Sequence, residues 1–130
     1  MTERSKDWFG QAERDLRHAR NAKADGDYEW ACFAAQQAAE KAVKAVYQRL
    51  GLEGWGHSVR QLLGDLATQE PLPEDLKEAG LLLDRYYIAT RYPNGLPQGV
   101  PGEYFLDKDA KEAIAYADRI LEFVRRRLGF

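Results

Sequence analysis

The sequence predicts an all-α protein, an up-and-down four-helix bundle with an additional short helix, and three observations carry that prediction. The first is an alanine-laden run from Asp27 to Gly51 whose apolar positions cover a very broad arc at about 100° per residue. The second is the recurrence of apolar residues at steps of three and four in three further long segments and one short one. The third is the punctuation between them, which falls into glycine- and proline-rich joints. Residues 1–130 read as one domain, long enough to bury a core without a disulfide framework or a structural metal.

The first helix is expected from about Ser5 to Ala24, with Trp8, Ala12, Leu16 and Ala19 on its stripe and Phe9 and Ala22 flanking. The stretch Lys23-Ala24-Asp25-Gly26-Asp27 is a tight turn, so the first two helices should form an antiparallel hairpin. In the second helix Asp27 is placed to cap the first turn with its side chain, and Gly51 to close the last in a left-handed conformation. Tyr28, Ala31, Cys32, Ala35, Ala38, Ala39, Ala42, Val43, Val46 and Leu50 make its apolar arc. Alanine at so many positions lets neighbouring helices approach closely, so this helix is the central rod.

Ser58-Val59-Arg60-Gln61 fits a capping box and opens the short helix, with Val59, Leu62, Leu63 and Leu66 on its apolar face. Pro73 can occupy the first turn of a fourth helix carrying Leu76, Ala79, Leu83, Tyr86, Tyr87 and Thr90, which must end near Arg91-Tyr92-Pro93. Arg91 to Leu106 is a long irregular loop, part of which should pack back through Tyr92, Tyr104 and Phe105. A last helix starts at an acidic cap, Asp107 or Asp109, and buries Ala110, Ala113, Ile114, Ala117, Ile120, Leu121, Val124 and Leu128. Arg125, Arg126 and Arg127 oppose the negative end of its dipole.

Composition narrows the function. Charged residues make up 31% and the net charge is -2, which argues against coating nucleic acid by bulk electrostatics. Any basic site must be local. The only cysteine, Cys32, is a core residue in a reducing compartment, and neither a signal peptide nor a membrane span is evident, so a cytoplasmic location is expected. No metal or cofactor is expected either, because there is no Glu-x-x-His pair, no close His/Cys set and no phosphate-binding glycine fingerprint. His57 reads as a loop imidazole bonded to nearby backbone rather than a catalytic base.

The face of the second helix left outside the apolar arc carries Trp30, Phe33, Gln37, Lys41, Lys44 and Gln48. It suits a solvated stripe, a helix contact with another subunit anchored by Trp30 and Phe33, or a platform where aromatics stack on bases and lysines meet phosphates. Arg91, beside the long loop, could grip a phosphate or close a salt bridge to Asp84 or Glu40.

Three stretches taken together resemble the HEPN family. They are Ala34-Ala35-Gln36-Gln37-Ala38-Ala39-Glu40-Lys41-Ala42-Val43-Lys44-Ala45, then Gly56-His57-Ser58-Val59-Arg60-Gln61-Leu62-Leu63, then Ala89-Thr90-Arg91-Tyr92-Pro93. The resemblance implies a bundle that commonly forms a homodimer and is often paired with a minimal nucleotidyltransferase. Many members are toxins of toxin-antitoxin pairs that cut RNA without a metal, through an arginine followed four to six residues later by histidine. Here Arg91 matches the arginine, but Tyr92 to Gln98 contain no histidine. The expectation is therefore a HEPN-like homodimer that binds nucleotide, RNA or a nucleotidyltransferase through Arg91, Tyr92, Asn94, Lys41, Lys44 and Gln37, with Trp30 and Phe33 as interface residues and no assigned catalytic residue. The alternatives are a metal-independent ribonuclease in which His57 or His18 substitutes for the missing histidine, and a structural adaptor.

Overall fold

The computed structural model describes residues 3–130. Six α-helices follow in order: α1 (Ser5–Ala24), α2 (Tyr28–Leu50), α3 (Val59–Leu66), α4 (Glu74–Asp84), α5 (Tyr86–Ala89) and α6 (Asp107–Leu128), with two single 3-10 turns at Pro93–Gly95 and Pro101–Glu103. No strand occurs among the described residues.

The expected central rod is α2. It packs against α1 and α6, while α3, α4 and α5 close the rest of its circumference. Ala31, Ala34, Ala35, Ala38, Ala39, Ala42 and Ala45 are all buried, and this run of small side chains is what lets helices settle on more than one side of the same axis. Two ends of the expected arc differ: Leu50 is exposed in the last turn, and Tyr28 in the first is only half-buried against the core. Asp27 does precede the helix, but its side chain makes no cap bond; its carbonyl accepts from the Ala31 amide and its own amide donates to the Ala22 carbonyl. At the other end Gly51 takes φ 70°, and the amides of Gly51 and Leu52 donate to the carbonyls of Gln48 and Tyr47.

In α1 the core stripe is Ser5, Phe9, Ala12, Leu16, Ala19 and Ala22, so Phe9 enters the core and Trp8 stays on the shoulder. The 3.6-residue period explains the exchange, since Phe9 lies in register with Ser5, Ala12 and Leu16 whereas Trp8 is a hundred-degree step away. Trp8 is instead covered by the ammonium of Lys44, 6.0 Å from the ring centroid.

The short helix α3 is capped as expected by the Ser58 hydroxyl, which accepts from the Gln61 amide at 3.1 Å. A second cap comes from the end of α4. The Asp84 carboxylate accepts from the Ser58 hydroxyl and from the amides of Val59 and Arg60, at 2.8, 2.8 and 3.0 Å. Close approach of the two helices is possible because Gly80 faces α3, where a Cβ would meet the Arg60 nitrogen and Val59 Cγ1 at 3.1 Å.

The fourth rod ends near Arg91 as expected but departs from expectation at its start and in its middle. Pro73 is extended, with ψ 138°, and sits before the helix rather than in its first turn. The rod is also interrupted at Arg85, after which α5 runs only to Ala89. Competing acceptor demands explain the ending: the Thr90 hydroxyl donates to the Tyr86 carbonyl, the Arg91 guanidinium takes the Tyr87 carbonyl, and Pro93 forces Tyr92 to be extended. From the loop that follows, Phe105 packs on Tyr86 with ring centroids 6.0 Å apart, while Tyr92 and Tyr104 remain exposed.

Leu106 occupies the cap position of α6, and the Asp109 carboxylate reaches back to accept from its amide at 2.8 Å. The acidic residue therefore works from inside the first turn, not at the cap itself. Ile114, expected in the core, is half-buried at its edge. The three terminal arginines are also ion-paired, Arg125 with Glu13 and Glu122, Arg126 with Glu122, and Arg127 with Glu70.

Candidate functional site

Arg91 leaves the last turn after α5 and folds back along it, so that Nε and Nη2 both donate to the Tyr87 carbonyl, at 2.9 and 2.6 Å. Its guanidinium carbon lies 4.2, 4.7 and 5.0 Å from the ring centroids of Phe33, Tyr87 and Tyr92. Three aromatic faces thus hold one cation. Neither possible salt bridge forms: Asp84 is committed to the start of α3, and Glu40 to Lys44 and His57. Arg14, Arg17, Arg60 and Arg85 also have no carboxylate partner among the described residues, but those four are exposed, whereas Arg91 is part-buried. Its Nη1 edge has no protein acceptor among the described residues, and a cation with a fixed orientation and an open edge is what a phosphate requires.

On the neighbouring flank lies a second assembly, centred on His57. Its imidazole stacks on Tyr87 with centroids 5.0 Å apart and planes 16° from parallel. Nδ1 faces the Glu40 carboxylate at 3.2 and 3.3 Å, and the His57 carbonyl accepts from Gln36 Nε2 at 2.8 Å. The expectation of a ring bonded to nearby backbone is therefore corrected, because α2 presents a buried carboxylate at the point where the loop passes. Glu40 is 4% exposed and is stabilised by Lys44 at 3.2 Å, by His57 and by Gln37 Nε2 at 3.4 Å. A buried carboxylate so surrounded orients an imidazole and leaves its other nitrogen free to face solvent.

The other expected site residues separate by environment. Lys41 is paired with Asp15 of α1 and Lys44 with Glu40, so neither lysine is an uncompensated charge. Lys44 joins the His57 assembly through Glu40 and makes no contact with the Arg91 cage. Lys41 is nearer in kind: with Asp15, His18, Trp30, Phe33, Ala34 and Gln37 it lines a groove of about 240 Å³ whose Phe33 wall is the one Arg91 rests on. Trp30 meets Phe33 edge-on at 6.2 Å and is exposed. Gln37 turns its amide inward, toward Gln36 and Glu40, and Asn94 is exposed in the 3-10 turn after Tyr92.

Sequence reasoning placed Tyr87 on the Arg91 side of its helix but missed Gln36, and it offered Glu40 as a partner of Arg91 rather than of His57. A signal existed for Gln36 and Glu40, since a Gln and a Glu at the step of four on a helix otherwise covered by alanine are costly unless they answer a buried polar partner. Cys32, by contrast, is inert. Burial, with smaller contributions from Asp109 and Glu29, pushes its thiol up to about 12. Among the described residues no group of His, Cys, Asp and Glu could hold a metal ion, and no helix is long and apolar enough to cross a membrane.

A helical bundle whose central rod bears Gln36-Gln37 and Glu40-Lys41, joined to the His57 loop and to Arg91-Tyr92-Pro93, defines a known class. The chain belongs to the HEPN family: the profile described as HEPN domain matches residues 5–127. Among solved structures it is similar to TT1696 from Thermus thermophilus, with 47% identity, a TM-score of 0.93 and coverage of 96% of this chain and 98% of that one. It is also similar to ST0689, an archaeal HEPN homologue, at 44% identity and TM-score 0.82, covering 97% and 98% of the two chains. A HEPN domain protein from Thermotoga maritima, tm0613, aligns at 40% identity and TM-score 0.78 over 95% and 98%. No curated protein matches the sequence.

Proposed function

We propose that this HEPN protein is a cytoplasmic homodimer that binds a nucleotide or single-stranded RNA at Arg91, in the setting of a toxin-antitoxin pair with a minimal nucleotidyltransferase as partner. One observation carries the reading: the Arg91 guanidinium is clamped by Phe33, Tyr87 and Tyr92, fixed by the Tyr87 carbonyl, and has no carboxylate to neutralise it among the described residues. A phosphate would take its open edge, and a base would stack on the exposed faces of Trp30 or Tyr92. Lys41 and Lys44 contribute less than the sequence suggested, since each has its own carboxylate. The test is titration of ATP, GTP and a short single-stranded RNA at two salt concentrations. Binding is expected to weaken roughly tenfold or more in Arg91→Ala, and with one principal phosphate contact the logarithmic salt slope for the single-stranded RNA should be about -0.7. Equal binding by the wild type and the variant would overturn the reading.

A second reading is favoured by the His57–Glu40 pair. An imidazole oriented by a buried carboxylate, beside an anion-holding arginine, could take a proton from a ribose 2′-hydroxyl and so replace the missing motif histidine in RNA cleavage. Incubation of RNA with the wild type and His57→Ala decides it: cleavage that the variant loses supports this reading, and an intact RNA in both leaves the binding role alone.

A further inference from the structure

We propose that the face shared by α1 and α2 is a track for a single strand of RNA, leading from the Arg91 cage past Lys41 to Arg14, Trp8 and Lys6, so that the ligand is an oligonucleotide rather than a mononucleotide. The inference rests on the Arg91 reading above and names the substrate class which that reading leaves open. A groove of about 750 Å³ lies along the first turns of α1 and is lined by Arg4, Lys6, Trp8, Gly10, Arg14 and Lys41. Lys41 also belongs to the groove of about 240 Å³ walled by Trp30 and Phe33, and Phe33 carries the Arg91 guanidinium. The two grooves therefore meet at one side chain, and the series ends on the cation already described. Along α1, Lys6 to His18 covers about 18 Å at 1.5 Å per residue, the rise of roughly five stacked bases at about 3.4 Å each. One nucleotide cannot occupy all of it.

The occupant follows from the charges and the rings together. Each carboxylate of α1 is already committed, Asp7 to Arg4, Glu13 to Arg125 and Asp15 to Lys41. Lys6, Arg14 and Arg17 are exposed and have no ion-pair partner among the described residues. Arg14 and Arg17 line a further groove of about 320 Å³ with His18, beside the first. A positive face on a chain of net charge -2 is the local basic site that the composition leaves room for. Cations alone would suit a duplex or an acidic protein as well. Half-buried Trp8 at one end and exposed Trp30 at the other set aromatic surface beside those charges, and unpaired bases stack on such rings whereas paired ones are not free to. Gly10 leaves the first groove unobstructed. Glycine is disfavoured inside a helix, and a Cβ there would meet nothing within 4 Å, so packing does not demand it.

Fluorescence anisotropy of the full chain with labelled oligouridines, a trinucleotide and a strand of about twelve nucleotides, tests this. The wild type is expected to bind the longer strand roughly tenfold or more tightly than the trinucleotide. With Arg91, Lys6, Arg14 and Arg17 each on a phosphate, its logarithmic salt slope should be about -2.8, against about -0.7 for the trinucleotide. Lys6→Ala combined with Arg14→Ala, folded by circular dichroism, should weaken the longer strand roughly tenfold or more and flatten its slope by about 1.4, while the trinucleotide, which reaches only the Arg91 cage, keeps its affinity. Gly10→Glu, which has room to fold, should block the longer strand in the same way, and Arg91→Ala should weaken both. Failure of the wild type to bind either strand would overturn the Arg91 reading and this one with it. Trinucleotide binding that depends on Arg91, joined to a longer strand that is bound no more tightly or is indifferent to Gly10→Glu and the double variant, would keep that reading and overturn the track. Equally tight binding of a duplex of the same length or of an oligoglutamate would also overturn it, since neither offers a base to Trp8.

Discussion

Arg91 and Cys32 show how the same bundle treats two reactive side chains in opposite ways. The arginine is held at the surface by rings and a carbonyl, so its charge stays available. The thiol is wholly enclosed and kept neutral, up to about 12. Its pH signature follows by linkage. The folded value lies above the ordinary 9.0 of an unfolded thiol, so the stability this neutral thiol contributes is complete below about pH 9 and is lost as pH rises toward about 12. Tyr86, pushed up to about 12 chiefly by burial, adds a loss that begins nearer its ordinary 10.0. Denaturant unfolding across that alkaline window should show a smaller fall for Cys32→Ala than for the wild type. Identical falls would mean that the thiol is not the titrating group.

At the level of the element, the informative unit is the joint between α3 and α4. Eight residues make a helix too short to stand alone, and α3 persists because its first turn is capped twice, by Ser58 and by Asp84. Asp84→Ala removes one of these caps and is expected to cost about 1–2 kcal/mol, seen by calorimetry as a thermal midpoint lower by roughly 4–8 °C. An unchanged midpoint would show that water replaces the carboxylate without loss. The same carboxylate bears on the site, because the residue it anchors, Ser58, directly follows His57. The Ser58 cap was legible in the sequence because its signal is local. Asp84 was not, since a carboxylate in the last turn of one helix says nothing of which amides another helix brings to it.

For the molecule as a whole, what the sequence disclosed and what it withheld divide along the same line. The alanine pattern of α2, the hairpin turn and the glycine stop at Gly51 report short-range physics, and they placed the helices nearly where they stand. Trp8 and Phe9 differ by one register step, which periodicity resolves poorly when both neighbours are aromatic. The site was legible in part: Arg91, Tyr92, Trp30 and Phe33 do gather, because two of them share one turn of α2 and two are adjacent before Pro93. The pairing of Lys41 with Asp15 and of Glu40 with His57 depends on helices meeting at long range, and no spacing within one segment encodes it.

The rings of Phe9 and Phe130 lie 5.6 Å apart, and Arg49 of α2 reaches both Phe130 and the Leu128 carbonyl, so the two ends of the described chain sit at one pole of the bundle. Phe33 is near the opposite pole of the same rod, about 24 Å along its axis from Arg49 at 1.5 Å per residue. A tether or fluorophore carried by the exposed Phe130 position, through Phe130→Cys, would accordingly lie away from the cationic cage, which makes that pole a natural point for surface immobilisation in ligand-capture measurements.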